Sequence, residues 1–190
     1  MTDVLAGVRV LEVAEQGFVP SGAAVLADWG ADVVKVERPE GDALRQVMKQ
    51  GLVAQTGHFD FLVEQVNRNK RNVCLDLKHP DTRPVLERLV RWADVFITNQ
   101  LPGVRRRLAI EPADLWAINP RLIYAHGTGF GDAGEEIDKP GFDSVCYWSR
   151  SGMEANLFPL DGWLGPLGYG TGDHPTGLAL LSAGLLLLYA

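Results

Sequence analysis

Cysteine is almost absent. Cys74 and Cys146 are the only two in 190 residues, and each lies in an apolar or mixed segment. That excludes a disulfide framework and fits two buried free thiols in a reducing compartment, so the expected location is the cytoplasm. Metal-ligand spacing is also missing. His58, His79, His126 and His174 are scattered, and no metal is expected. Positive charge is not in excess. The net charge of -6 gives no overall pull toward nucleic acid or an anionic membrane, so a polyanionic ligand would need a local basic cluster. Long hydrophobic runs are missing as well. Leu178–Ala190 is the most apolar stretch, and at 13 residues it falls short of the roughly 20 that span a bilayer. Met1-Thr2-Asp3-Val4 has an acid where a secretory leader has its basic region, so no leader is expected. There is no internal repeat, no low-complexity tract and no serine in a nucleophile-elbow sequence.

What is present is a regular alternation. Gly7–Ala14 and Asp32–Glu37 are apolar, β-branched runs that read as strands, and Ala23–Trp29 between them reads as a helix stopped by Gly30. Pro20 suits its first helical position. Strand, helix and strand within about thirty residues make a βαβ unit with parallel strands. Further strands are predicted at Asn72–Leu77, Ala93–Asn99 and Arg121–His126. Helices are predicted at Thr82–Trp92, with Val85, Leu86, Leu89 and Val90 on one face, and at Glu111–Ile118. A short basic helix follows Leu101-Pro102-Gly103. Ala43–Glu64 reads as a short helix and an irregular excursion, and Phe142–Met153 as helical. The pattern predicts an α/β fold with a doubly wound, mostly parallel sheet, whose ligands bind at the carboxyl ends of the strands. The last residues, Leu185–Ala190, have neither Gly nor a basic last turn, so Ala190 is expected to interrupt a helix.

One stretch stands out chemically: Gly170-Thr171-Gly172-Asp173-His174-Pro175, at the opening of the final apolar helix. Asp173 near a helix N-terminus would have its ionised form favoured, and glycines before it would allow close approach of a ligand or a backbone. Such a carboxylate can attack an acyl group, or it can simply cap the helix. Gly129-Phe130-Gly131-Asp132-Ala133-Gly134 spells the dinucleotide fingerprint, but no helix follows to close a βαβ unit, so it is set aside. Basic groups at strand ends (Arg68, Lys70 and Arg71; Arg105, Arg106 and Arg107; Arg38) point to a polyphosphate ligand, or to solvated surface charge. Asn99, just after a strand, suits a ligand amide or a turn cap. Trp148, Phe158 and Trp163 are candidates for an acyl pocket or for core.

Several segments in order resemble the family III CoA-transferases, the group that includes formyl-CoA and carnitine-CoA transferases. They are Leu5–Glu12, Leu26–Pro39, Asn67–Lys78, Ala93–Gly103, Asn119–Tyr124 and Gly129–Gly131. The resemblance implies the CoA-binding, Rossmann-like large domain of that family, with residues 1–190 as its N-terminal part and a smaller domain beyond Ala190. It implies that Asp173 is the catalytic nucleophile and that Arg38 and Arg107 contact the phosphates of CoA. It places Val73, Asn99 and Leu108 along the nucleotide and pantetheine groove. Many members have Gln where this chain has Gly17, and Gln16 is adjacent. The implied substrates are an acyl-CoA and a carboxylic acid, with CoA passing through an aspartyl anhydride and an aspartyl-CoA thioester in an interlocked homodimer. Family racemases use a His where Phe142 stands here. A racemase and a non-catalytic CoA-binding subunit remain the alternatives.

Overall fold

The computed structural model describes residues 3–51, 57–158 and 170–188. Five parallel strands form one sheet in the order β3-β2-β1-β4-β5: β1 Arg9–Val13, β2 Asp32–Glu37, β3 Arg71–Cys74, β4 Val95–Thr98 and β5 Ile123–His126. The register places Leu11 beside Val34 on one side and Phe96 on the other. The chain moves outward from β1 through β2 to β3, then returns to the far side of β1 with β4. The topological switch therefore lies between β1 and β4, where sheets of this kind open a crevice at the strands' carboxyl ends.

Alternation along each strand builds a core on both faces. Val10 and, in β4, Val95 and Ile97 face helix α1 (Phe18–Asp28) and helix α8 (Asp173–Leu188). Leu11, Val13 and Phe96 face the opposite layer, where α4 (Arg83–Trp92) supplies Leu86 and Val90 and α6 (Pro112–Trp116) supplies Leu115. Fully buried side chains such as Leu11 and Phe96 each contribute about 1.5–3 kcal/mol. The doubly wound arrangement is therefore as predicted. On α4 the buried stripe is Leu86 and Val90, whereas Val85 is exposed, because it falls off the 3.6-residue stripe.

Other boundaries differ from expectation. Helix α1 begins at Phe18, which puts Pro20 in its third position; its missing N–H still falls among the unpaired donors of a first turn. Gly30, at φ 96°, takes the left-handed conformation that ends it. The 43–64 region holds α2 (Leu44–Lys49) and the start of α3 (Phe61–Asn67), whose first turn is capped by the Asp60 side chain accepting the Val63 N–H. Strand β3 ends at Cys74, three residues early. The basic segment after β4 is α5 (Pro102–Leu108). Phe142–Met153 is mostly a π-helical segment, Ser144–Arg150, separated by Gly152 at φ 78° from the short α7 (Met153–Leu157).

Candidate active site

Two glycines set the site's geometry. A Cβ on Gly22 of α1 would stand 2.7 Å from the Gly177 carbonyl oxygen, and one on Gly177 of α8 would stand 2.5 Å from both Phe18 O and Ser21 Oγ. No side chain fits at this crossing, so the helices meet backbone to backbone. The contact carries the first turn of α8 onto the loop between β1 and α1. There the Asp173 carboxylate, at the start of α8, fills the space that a Cβ on Gly17 would need.

The environment of Asp173 reverses the expected electrostatics. A helix N-terminus favours the charged form, yet the Asp173 pKa is pushed up to about 6, first by burial and then by the nearby Asp143 carboxylate. Asp143 is itself raised by burial and held by backbone donors, with the Gly172 N–H at 2.9 Å from its Oδ1 and the Gly170 N–H also contributing. Those two N–H groups are thus directed at Asp143 and not toward an oxyanion. Gly172 is required by its own chain, because the Tyr147 ring and the Asp143 carboxylate occupy the space of any side chain there. Burial also lowers the His174 pKa.

Around Asp173 lies a cleft of about 590 Å³ at the carboxyl ends of β1 and β4. One wall comes from the β1–α1 and β4–α5 loops, with Gln16, Phe18, Asn99 and Leu101. Another comes from Phe142 and the π-helical segment, with Asp143, Cys146, Tyr147 and Trp148. Gly129 and Gly141 close its side, their backbones so near that a Cβ on Gly129 would lie 2.6 Å from the Gly141 Cα. That packing accounts for a glycine of the apparent dinucleotide motif, which lies in the loop after β5.

The loop that faces Asp173 is clamped from beneath by a buried charge network. Lys35 Nζ donates to Glu12 Oε1 (2.9 Å) and Ala14 O (2.7 Å), and pairs with Asp42 Oδ2 at 3.0 Å. Lys70 Nζ donates to Glu12 Oε2 (2.6 Å) and Pro20 O (2.9 Å). Asp42 Oδ1 accepts the Gln16 N–H at 3.0 Å, which helps hold Gln16 at φ 68°. Asn99 completes the clamp: its Nδ2 donates to Glu15 O at 2.6 Å and its Oδ1 accepts the Glu15 N–H at 3.1 Å. Ala14, Glu15, Gln16 and Pro20 are all anchored by side chains, so the loop is positioned before any ligand arrives.

Of the residues singled out in the sequence, Gln16, Asn99 and Asp173 meet at the cleft. Asn99 acts on the turn, since both ends of its amide hold Glu15. Arg38 sits one residue away, its Nε 3.4 Å from Glu15 Oε1 and 2.9 Å from Gly41 O, and half of its side chain is exposed. Val73 and Leu108 pack against the α4 side of the sheet, and Arg107 is exposed on α5. These three do not line the cleft. Trp148 does, at 8% exposure; Phe158 does not, and Trp163 lies outside the described residues. The cations of the cluster at 68–71 are paired within the chain. Arg68 pairs with Asp28, Lys70 is buried on Glu12, and Arg71 pairs with Asp32 while its guanidinium lies over Trp92. Arg105 is likewise buried on Glu111. Among the described residues, no group of three or more His, Cys, Asp or Glu could hold a metal ion, and no helix is long and apolar enough to cross a membrane.

Residues 5–190 match the profile of CoA-transferase family III. The chain is 31% identical over 186 residues to the (R)-2-hydroxy-4-methylpentanoate CoA-transferase of Clostridioides difficile, covering 98% of this chain and 47% of that protein. It is 34% identical over 189 residues to the formyl-CoA:oxalate CoA-transferase of Streptomyces avermitilis, covering 100% of this chain and 45% of that protein. The crystal structure of a CaiB/BaiF family protein from Brucella suis superimposes with a TM-score of 0.88 at 31% identity, over 100% of this chain and 50% of that one. The chain thus spans about half the length of the relatives it matches.

Proposed function

This chain belongs to CoA-transferase family III, and on that premise we propose that it carries the nucleophile of a CoA-transferase, Asp173. The observation that carries the reading is the half-buried Asp173 carboxylate at the sheet's switch point, set against Gly17 in an open cleft. With a pKa of about 6 it is more basic than an ordinary aspartate, yet mostly ionised at pH 7.

In the proposed cycle the Asp173 carboxylate attacks the thioester carbonyl of an acyl-CoA, forming a mixed anhydride and expelling CoA thiolate. The thiolate attacks the Asp173 carbonyl, giving an aspartyl-CoA thioester and releasing the donor acid. An acceptor carboxylate attacks that thioester and again expels thiolate. The thiolate then takes the acceptor's acyl group, and the Asp173 carboxylate is restored. Arg38 and Arg107 supply cations for the CoA phosphates, Arg38 by exchanging its contact with Glu15. Gln16 contacts CoA, and Asn99, Val73 and Leu108 border the groove for its nucleotide and pantetheine. The working protein is a homodimer.

In the intact protein, Asp173→Ala is expected to abolish CoA transfer while leaving CoA binding within a few-fold of wild type. Transfer at the wild-type rate would refute the assignment. One observation favours a second reading. Asp143 beside Asp173 makes a carboxyl pair with raised pKa values, the kind of pair that moves protons. Uptake of solvent deuterium at the acyl α-carbon without exchange of CoA between acids would select a racemase instead.

A further inference from the structure

The lining of the cleft carries a substrate preference, and it rests on the transferase reading above. Among the described residues, the charged side chains that line it are Asp143 and Asp173, with no Lys, Arg or His. Its apolar wall comes from Phe18, Leu101, Phe142 and Tyr147. Phe142 is 57% exposed, a large ring presented at the cleft without being needed by the core. The Gly172 N–H donates to Asp143 Oδ1 at 2.9 Å and favours this orientation of the carboxylate.

A distal carboxylate on a bound acyl group would therefore be drawn from water toward a like charge, with no cation among the described lining residues to pair it. Juxtaposed like charges are strongly disfavoured at an interface. An uncharged acyl group instead covers aromatic and aliphatic surface. We propose that the acyl groups carried by this protein are uncharged and apolar. Acyl groups bearing a second carboxylate are rejected, and Phe142 and Asp143 are the specificity-determining residues.

The half-reaction tests this without an assumed acceptor. The intact protein is mixed with 3-phenylpropionyl-CoA or succinyl-CoA, and the rate of free-acid release is followed with the mass of the Asp173–CoA thioester. The apolar donor is expected to react at least about thirtyfold faster. Phe142→Arg adds a cation at an exposed position, so folding is not at risk, and it is expected to shift the ratio toward succinyl-CoA by at least about tenfold. Asp143→Asn is expected to shift it the same way. An Asp173 adduct that forms faster from succinyl-CoA would overturn the substrate class and leave the transferase reading standing. A Phe142→Arg ratio equal to wild type would overturn the assignment of Phe142. Binding of both donors with no adduct from either would overturn the transferase reading and this inference together.

Discussion

Glu12→Gln is the substitution that most directly probes how the loop facing Asp173 is held. Glu12 is completely buried on the central strand, and both carboxylate oxygens are used, one by Lys35 at 2.9 Å and the other by Lys70 at 2.6 Å. The two lysine side chains are themselves 1% and 2% exposed. Removing the carboxylate charge leaves two ammonium groups facing each other in the interior, with Asp42 as the remaining acid on Lys35. Removing one partner of a buried ion pair costs about 3–5 kcal/mol. For an m-value near 2 kcal/mol/M that is a fall of about 2 M in the urea midpoint.

The pH dependence of this variant has a defined sign. In the wild type the Lys70 pKa is lowered from 10.5 to about 8, with burial outweighing the attraction of Glu12. Between about pH 8 and 10.5 the unfolded chain therefore binds more protons than the folded one, and the contribution of Lys70 to stability rises with pH. Loss of the Glu12 charge lowers that folded-state pKa further, so in the variant the rise begins at a lower pH. Adding Lys70→Met removes the uncompensated cation and is expected to recover part of the lost stability. Urea unfolding of the single and double variants from pH 6 to 10 reads all of this. A Glu12→Gln midpoint within 0.3 M of wild type, which is under about 1 kcal/mol, would refute the clamp.

Four further outcomes are expected. Gly177→Ala puts a Cβ 2.5 Å from Phe18 O and Ser21 Oγ; the overpacked crossing costs about 1–3 kcal/mol and moves Asp173 off Gly17, so thermal melting and turnover fall together. The proposed attack needs Asp173 ionised, so kcat/KM is expected to fall about tenfold per pH unit below about 6. Asp143→Asn removes the like charge and moves that acid limb to lower pH, as a pH–rate profile would show. Arg38→Ala and Arg107→Ala each raise KM for acyl-CoA roughly tenfold or more with kcat little changed, as loss of a charged hydrogen bond predicts; an unchanged KM would remove that arginine from the phosphate site.

The frame of the molecule is legible in its residues because it follows from period and punctuation. The β-branched runs at Val8–Val13 and Val33–Val36 could only be buried strands, and the helix between them makes them parallel. Asp173 is conspicuous as an acid between glycines and an apolar helix, but that pattern fits a helix cap as well, and it is the family resemblance that implies a nucleophile. The clamp is much harder to read. Glu12 and Lys35 interrupt apolar strands, which signals a buried charge pair, but Lys70 lies 58 residues from Glu12 and reaches it only through the folded sheet. For the same reason the basic residues at 68–71 read as a ligand site: their acids, Asp28 and Asp32, are about forty residues away. The π-helical segment has no period that separates it from an ordinary helix. Asp143 stands in no motif, and its importance comes from the turn at Gly170–Gly172 folding back onto it.

The central claim is that Asp173 becomes covalently attached to CoA. Intact mass spectrometry of the protein after mixing with an acyl-CoA, followed by peptide mapping, tests it most directly. The account predicts a CoA thioester, convertible to a hydroxamate by hydroxylamine, on the peptide containing Asp173, and none in Asp173→Ala. A protein that binds and turns over acyl-CoA with no adduct, or with an adduct on another residue, would contradict it.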